Sequence, residues 1–164
     1  MDLTAEFFRH NAMANRMLLE SCRRLGAEQL RATAVGTYGS VGSTLVHIAN
    51  SQIGYAERIL GGGQPGALPD DPFPGFDTLS ERFADGDARL QEAAARAGED
   101  RELRWTDPEG RNLRMPVALF LLQAVNHGTE HRSQVATILT RLGVEPPDMD
   151  GWTYFFASGQ LVEL

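Results

Sequence analysis

His127 and His131 stand four residues apart in a stretch that reads as a long apolar helix, and the chain has only four histidines. Four residues is about one helical turn, so both imidazoles project from the same face. At roughly 100° per residue that face also carries Phe120, Ala124, Gln134, Val135, Ile138 and Leu142. Three polar side chains on a core-facing stripe need partners. Neutral imidazoles at i and i+4 can chelate one metal ion from a single helix. Two core or interface histidines satisfied by hydrogen bonds would show the same spacing; burial on an apolar face favours the metal. His47 lies eighty residues before His127. Ser43, Thr44, Ser51 and Gly54 surround it, while Val41, Leu45, Ile48, Ile53 and Ala56 cluster on the other side of its helix. The small neighbours leave room for an ion, water or substrate; a plain surface histidine is the simpler alternative.

The elements that must position these residues follow from apolar spacing and punctuation. Residues 3–25 read as a helix with Leu3, Phe7, Asn11, Ala14, Leu18, Cys22 and Leu25 on its stripe and Gly26 as its stop. Asn11 is thereby a candidate buried polar group. Residues 27–40 form a connection, and 41–60 a second helix ended by Gly61-Gly62-Gly63. A Pro- and Gly-rich loop then reaches to Phe76, long enough to cover something or line a pocket. Thr78 with Glu81 forms a capping box for a third helix ending at Gly98. Residues 102–115 alternate in polarity around Asp107-Pro108-Glu109-Gly110, which predicts a β-hairpin. Pro116 opens the histidine helix, which stops at Gly143. A last short helix begins near Asp150 with Trp152, Phe155 and Phe156 to bury. The expected architecture is all-α: one antiparallel four-helix-bundle domain over 1–164, with the hairpin before the last long helix and a short C-terminal helix. Leu121, Val125, Ala136 and Leu139 make the histidine helix apolar on its far side too, which suits a central helix or a homodimer interface.

Composition narrows the classes. The 164 residues carry 22 acidic and 15 basic side chains, a net charge of −7, with every basic residue an arginine. That balance argues against a nucleic-acid binder. The longest apolar run, 117–122, is too short to span a membrane. The start of the chain lacks a basic-then-apolar leader pattern, and a single cysteine fits a reducing compartment, so a cytoplasmic protein is expected. Cys22 reads as a small core residue rather than a nucleophile.

Asn126-His127-Gly128-Thr129-Glu130-His131-Arg132-Ser133-Gln134 resembles a signature of the DinB/YfiT superfamily, which is distinct from the DNA polymerase sharing the name. Gly39-Ser40 with Thr44-Leu45-Val46-His47-Ile48, the opening Asn11-Ala12-Met13-Ala14-Asn15-Arg16, and Gly143-Val144 with Pro146-Pro147-Asp148-Met149-Asp150 match it in order over almost the whole chain. Many members have His where this chain has Glu130 and Gly where it has Ser133. The resemblance implies a four-helix bundle, usually dimeric, with His47, His127 and His131 binding a divalent metal and His10 outside the triad. It also implies mixed functions: transferases using bacillithiol, mycothiol or glutathione, a thiol-dependent maleylpyruvate isomerase, and many members without a known reaction.

Three functions compete. A metal-dependent transferase would join a low-molecular-weight thiol to an electrophilic small molecule, in stress response or detoxification. Three histidine ligands leave open positions for a thiolate. Glu130 and Gln134 would orient ligands from behind. Arg58 and Arg132 read as solvated cations, with a thiol's carboxylates as an alternative partner, and Tyr154 and Trp152 as pocket-closing or core residues. The same ion could instead activate water, as in a metal-dependent hydrolase; a metalloprotease with Glu130 as base is the second function, since His127-Gly128-Thr129-Glu130-His131 fits H-x-x-E-H, with Glu145, Asp148, Asp150 or Glu163 to complete it. The third is a non-catalytic metal-binding stress protein. Zinc or nickel suits the imidazoles best, with iron or copper as alternatives.

Overall fold

The Asp2 carboxylate accepts a hydrogen bond from the Thr4 N–H at 2.9 Å and so starts α1 (Leu3–Cys22). The computed structural model describes residues 2–63, 66–98 and 101–161. A single turn, α2 (Ala27–Leu30), interrupts the expected 27–40 connection, and Gly26 caps that turn instead of stopping α1. Ser40 caps α3 (Val41–Leu60) by accepting from the Ser43 N–H at 3.1 Å, and Gly61 ends it at φ 80°, a left-handed backbone that favours glycine. The strands β1 (Glu102–Thr106) and β2 (Asn112–Pro116) pair antiparallel with Trp105 opposite Leu113, as the alternating pattern predicts. Pro116 closes β2 and caps α5 (Val117–Arg141) rather than occupying its first turn.

The third long helix, α4 (Phe76–Ala95), starts before the expected capping box. Phe76 packs its ring against Phe73 at 5.1 Å, and Gly75 at φ 92° turns the chain into the helix, so Thr78 lies already inside the first turn. Tertiary packing overrides the local cap. The last helix, α6 (Gly151–Ala157), is capped by Asp150 as expected. Its aromatics are not buried as expected: Trp152 and Phe156 are 64% and 66% exposed, and Tyr154 is the residue it buries. Leu3 and Phe7 of α1 are likewise exposed, while Phe8, Asn15 and Leu19 join the inner face.

Four long helices pack in the order α1, α4, α3, α5 and back to α1. Asn15 meets Asp87 and Arg23 meets Asp77, so α1 and α4 run oppositely. Likewise α3 and α5 run oppositely, with Tyr55 on Phe120 and His47 on His131. Helices α3 and α4 run the same way, since Gln52 bonds Asp87 and Glu57 bonds Arg89. The expectation of uniformly antiparallel neighbours is therefore corrected. Parallel neighbours that follow one another in sequence need a connection as long as the helices, and the 61–75 segment supplies it. Its residues 68–73 run back along α3: Leu68 exchanges two hydrogen bonds with Asn50, and the Phe73 ring lies against Gly42.

The interior is layered. One apolar cluster joins Leu18, Leu45, Ile48, Leu79, Val135 and Ile138; another joins Phe8, Ile59, Leu90, Val117 and Leu121. Buried polar side chains from α1, α3, α4 and α5 lie between them. No described helix is long and apolar enough to cross a membrane.

Candidate metal centre

The antiparallel packing of α3 on α5 brings His47 to His127 and His131. The three ring centroids lie 4.4–4.9 Å apart, and one nitrogen from each imidazole falls within 4.8 Å of the other two. His47 Nε2 and His127 Nε2 are 3.0 Å apart. Two nitrogens each about 2.0–2.1 Å from a shared ion sit roughly 3 Å apart, so this spacing suits a common ligand sphere.

Gln134 decides which nitrogen of His131 is available. Its Oε1 accepts the Tyr38 backbone N–H at 2.9 Å and also lies 3.0 Å from His131 Nδ1. The Tyr38 N–H identifies this atom as the amide oxygen, which has no hydrogen to donate, so Nδ1 carries the hydrogen. Nε2 keeps the lone pair and is the nitrogen left free to ligate. Backing a histidine by an outer carbonyl is the usual way a metal ligand is oriented. Burial, with His131 and His47 beside it, pushes His127 down to about 4; burial, then His131, lowers His47 as well. Both are neutral at pH 7 and can offer lone pairs.

Two tyrosines wall the cluster. Tyr38, from the connection before α3, stacks on His47 with ring centroids 4.0 Å apart and 18° between planes. Tyr55, two turns beyond His47, presents its ring at 5.5 Å and 70° to His127. Neither was marked by the sequence pattern; Tyr38 lies in a loop, and only the α3–α5 register places Tyr55. Beside Tyr55 a cleft of about 240 Å³ is lined by Ser51, Gly54, Arg58 and Phe120.

Other expected participants are elsewhere. Glu130 is exposed, and no carboxylate joins the three histidines among the described residues; Glu163 lies outside them. The H-x-x-E-H arrangement therefore has neither its acidic third ligand nor an inward glutamate here. Trp152 is exposed, and Tyr154 packs on His10 while its hydroxyl donates to Glu6. His10 lies against the Met149 carbonyl, outside the cluster. Burial pushes the Cys22 thiol up to about 12, as suits a core residue.

Arg132 is not a solvated cation. It is 3% exposed, and its Nη1 donates to Asn11 Oδ1 at 2.7 Å and Asn15 Oδ1 at 2.8 Å. Asn15 and Gln52 donate in turn to Asp87 Oδ1 at 2.9 and 2.8 Å. Burial pulls the guanidinium down to about 10, against the attraction of Asp87, so it stays charged at neutral pH. Gly128 makes room for it: a Cβ there would lie 2.9 Å from Arg132 Nη1 and 3.0 Å from Asn11 Oδ1.

Residues 1–160 match the DinB family. The chain belongs to the DinB family. A DinB-like protein from Bacillus cereus ATCC 10987, known from its crystal structure, is similar in fold with a TM-score of 0.63. The two are 21% identical over 85% of this chain and 91% of the other. No curated protein matches the sequence significantly. For this DinB-family chain the histidine cluster could hold a metal ion, consistent with the divalent metal that the resemblance implies.

Proposed function

We propose that His47, His127 and His131 hold one divalent ion, zinc or nickel, and that the protein is a transferase joining a low-molecular-weight thiol to an electrophilic small molecule. The observation that carries this is a three-imidazole cluster whose His127 ring meets Tyr55, a wall of an open cleft. A closed site would suit storage or sensing; a cleft beside the ligands suits turnover. When bound, a divalent ion stabilises the deprotonated form of a thiol near neutral pH. The chain's own residues do the rest. Gln134 fixes His131, Tyr38 and Tyr55 shield the cluster from water, and the cleft receives the electrophile. In the transfer a sulfur–carbon bond forms, the thiol proton leaves to solvent, and the leaving group departs with its electron pair.

Elemental analysis of untagged protein beside His47→Ala and His131→Ala tests the ligand set. About one ion per chain, lost in both variants, is expected. A chain that takes up no ion from zinc or nickel ends the proposal. Loaded protein with 1-chloro-2,4-dinitrobenzene and glutathione, bacillithiol or mycothiol should then consume thiol faster than the His131→Ala variant. A second reading, a non-catalytic metal-binding protein, is favoured by the Tyr38 ring lying flat over His47. Stoichiometric metal without turnover of any thiol would select it. A homodimer belongs to the same proposal: Leu119 and Leu122 of α5 are exposed, and Leu122 with Phe7 lines an apolar cavity of about 400 Å³. A monomer by light scattering would exclude it.

A further inference from the structure

Arg58 has no carboxylate partner among the described residues. Its neighbour Glu57 turns to the other side of α3 and is taken by Arg89. Nor does Arg58 serve the free carbonyls at the end of α3, since Arg101 donates to the Ile59 carbonyl. Instead its guanidinium carbon lies 5.9 Å from the centre of the Phe120 ring, at the far end of the 240 Å³ cleft. A cation over an aromatic face, with a cleft beside it, is placed to meet an anion.

The cleft and the histidines share a wall. Ser51 lies one turn beyond His47 on α3, and the Tyr55 ring touches both the Phe120 ring at 5.1 Å and the His127 ring at 5.5 Å. Phe120 and His127 are seven residues apart on α5, a rise of roughly 10 Å. The floor between them is aromatic and the far end is cationic. Gly54 gives a second, independent indication. A glycine inside a helix is about 1 kcal/mol less favourable than alanine. A Cβ at Gly54 would meet nothing within 4 Å, so no protein atom requires its absence. The absent side chain keeps the cleft open.

We infer that this cleft binds the carboxylate end of a small, flat, apolar substrate, with the carboxylate on Arg58, the body against Phe120 and Tyr55, and the opposite end toward the histidines. The inference rests on the proposed role of the triad as the reacting centre. The volume, below the roughly 300–1,000 Å³ of drug-sized sites, restricts the body to about one ring and a short chain.

Titration of nitrogen-15-labelled protein with 4-phenylbutyrate and its uncharged amide, 4-phenylbutyramide, tests this, in metal-free and zinc-loaded samples. The acid should shift the amide signals of Ser51, Gly54 and Tyr55 and the Arg58 Nε–H, and bind at least about tenfold tighter than the amide. Arg58→Gln should bring the acid down to the amide's affinity. Gly54→Leu, whose side chain enters open space, should abolish binding of both probes while the protein stays folded. Equal affinities in the unmodified protein, a preference surviving Arg58→Gln, shifts mapping elsewhere, or no binding of either probe would each overturn the inference. Zinc uptake is measured on the same samples. Carboxylate binding without zinc uptake would defeat the triad's role and leave the cleft; uptake without carboxylate preference would do the reverse.

Discussion

His131 and Arg132 are consecutive, yet they anchor two different polar regions inside one fold. Arg132 enters a closed network in which Asn11, Asn15 and Gln52 relay hydrogen bonds to Asp87. His131 enters a cluster of three imidazoles in which His47 Nε2 and His127 Nε2 lie 3.0 Å apart and no carboxylate joins among the described residues. Both regions gather groups from α3 and α5 and lie at about the same level of the molecule. The network satisfies its members internally, which fits a structural role between two apolar layers. The cluster brings one nitrogen of each ring within 4.8 Å of the other two, which fits a ligand supplied from outside. Polarity in a core is thus not one signal: satisfaction separates a strut from a site.

The largest expected effect breaks the network. Arg132→Ala leaves the Asp87 charge and two amide oxygens without their cation, and should lower stability by about 3–5 kcal/mol in urea denaturation of the metal-free protein. His127→Ala should, by contrast, leave metal-free stability little changed. It should remove the stabilisation by zinc, which for the unmodified protein is about 2.7 kcal/mol at a free concentration of about one hundred times Kd. A large loss of metal-free stability in His127→Ala would place the triad with the network as structure. Gln134→Leu should weaken zinc binding by about 10–100-fold at unchanged stoichiometry, measured by competition with a chelator.

The smallest effect concerns pH. Burial raises the Asp87 carboxyl, against hydrogen bonds from Gln52 and Asn15 and the attraction of Arg132. Its folded pKa therefore lies above the unfolded value of about 3.9. The folded state then holds the proton more tightly, and this contribution is complete below about pH 3.9 and lost as pH rises through the folded pKa. The stability of the unmodified protein relative to Asp87→Asn should fall with rising pH across that window in paired denaturation curves. A relative gain would mean that Arg132 outweighs burial and that the network is held by charge.

The residues differ in how far their local sequence reveals them. His127 and His131 were legible because one helical turn joins them, so no long-range information is needed. His47 was flagged by its small polar neighbours, but its approach to the pair depends on how α3 packs on α5. Gln134 was legible as an outer partner because it follows His131 by three residues. Tyr38, which contributes the other hydrogen bond to Gln134, was not, since it lies ninety-six residues away in the chain. The burial of Arg132 is not legible locally, because its neighbours in sequence are polar and its partners Asn11 and Asn15 come from α1. In α6 aromatic type suggests burial, whereas a short helix buries one face and Tyr154 occupies it. The direction of α4 relative to α3 was invisible, because apolar periodicity records which face is buried and not which way the helix runs. Only the length of the 61–75 segment hinted at it.

The single oxygen of Gln134 that receives both His131 Nδ1–H and the Tyr38 N–H has a thermodynamic corollary. Whatever holds His131 in its ligand geometry also holds the backbone of the connection before α3, and the coupling is reciprocal. An ion that tightens on ordering this connection must order it by the same factor. Proteolytic or hydrogen-exchange protection of Tyr38 would then act as an internal gauge of occupancy at a centre on two other helices.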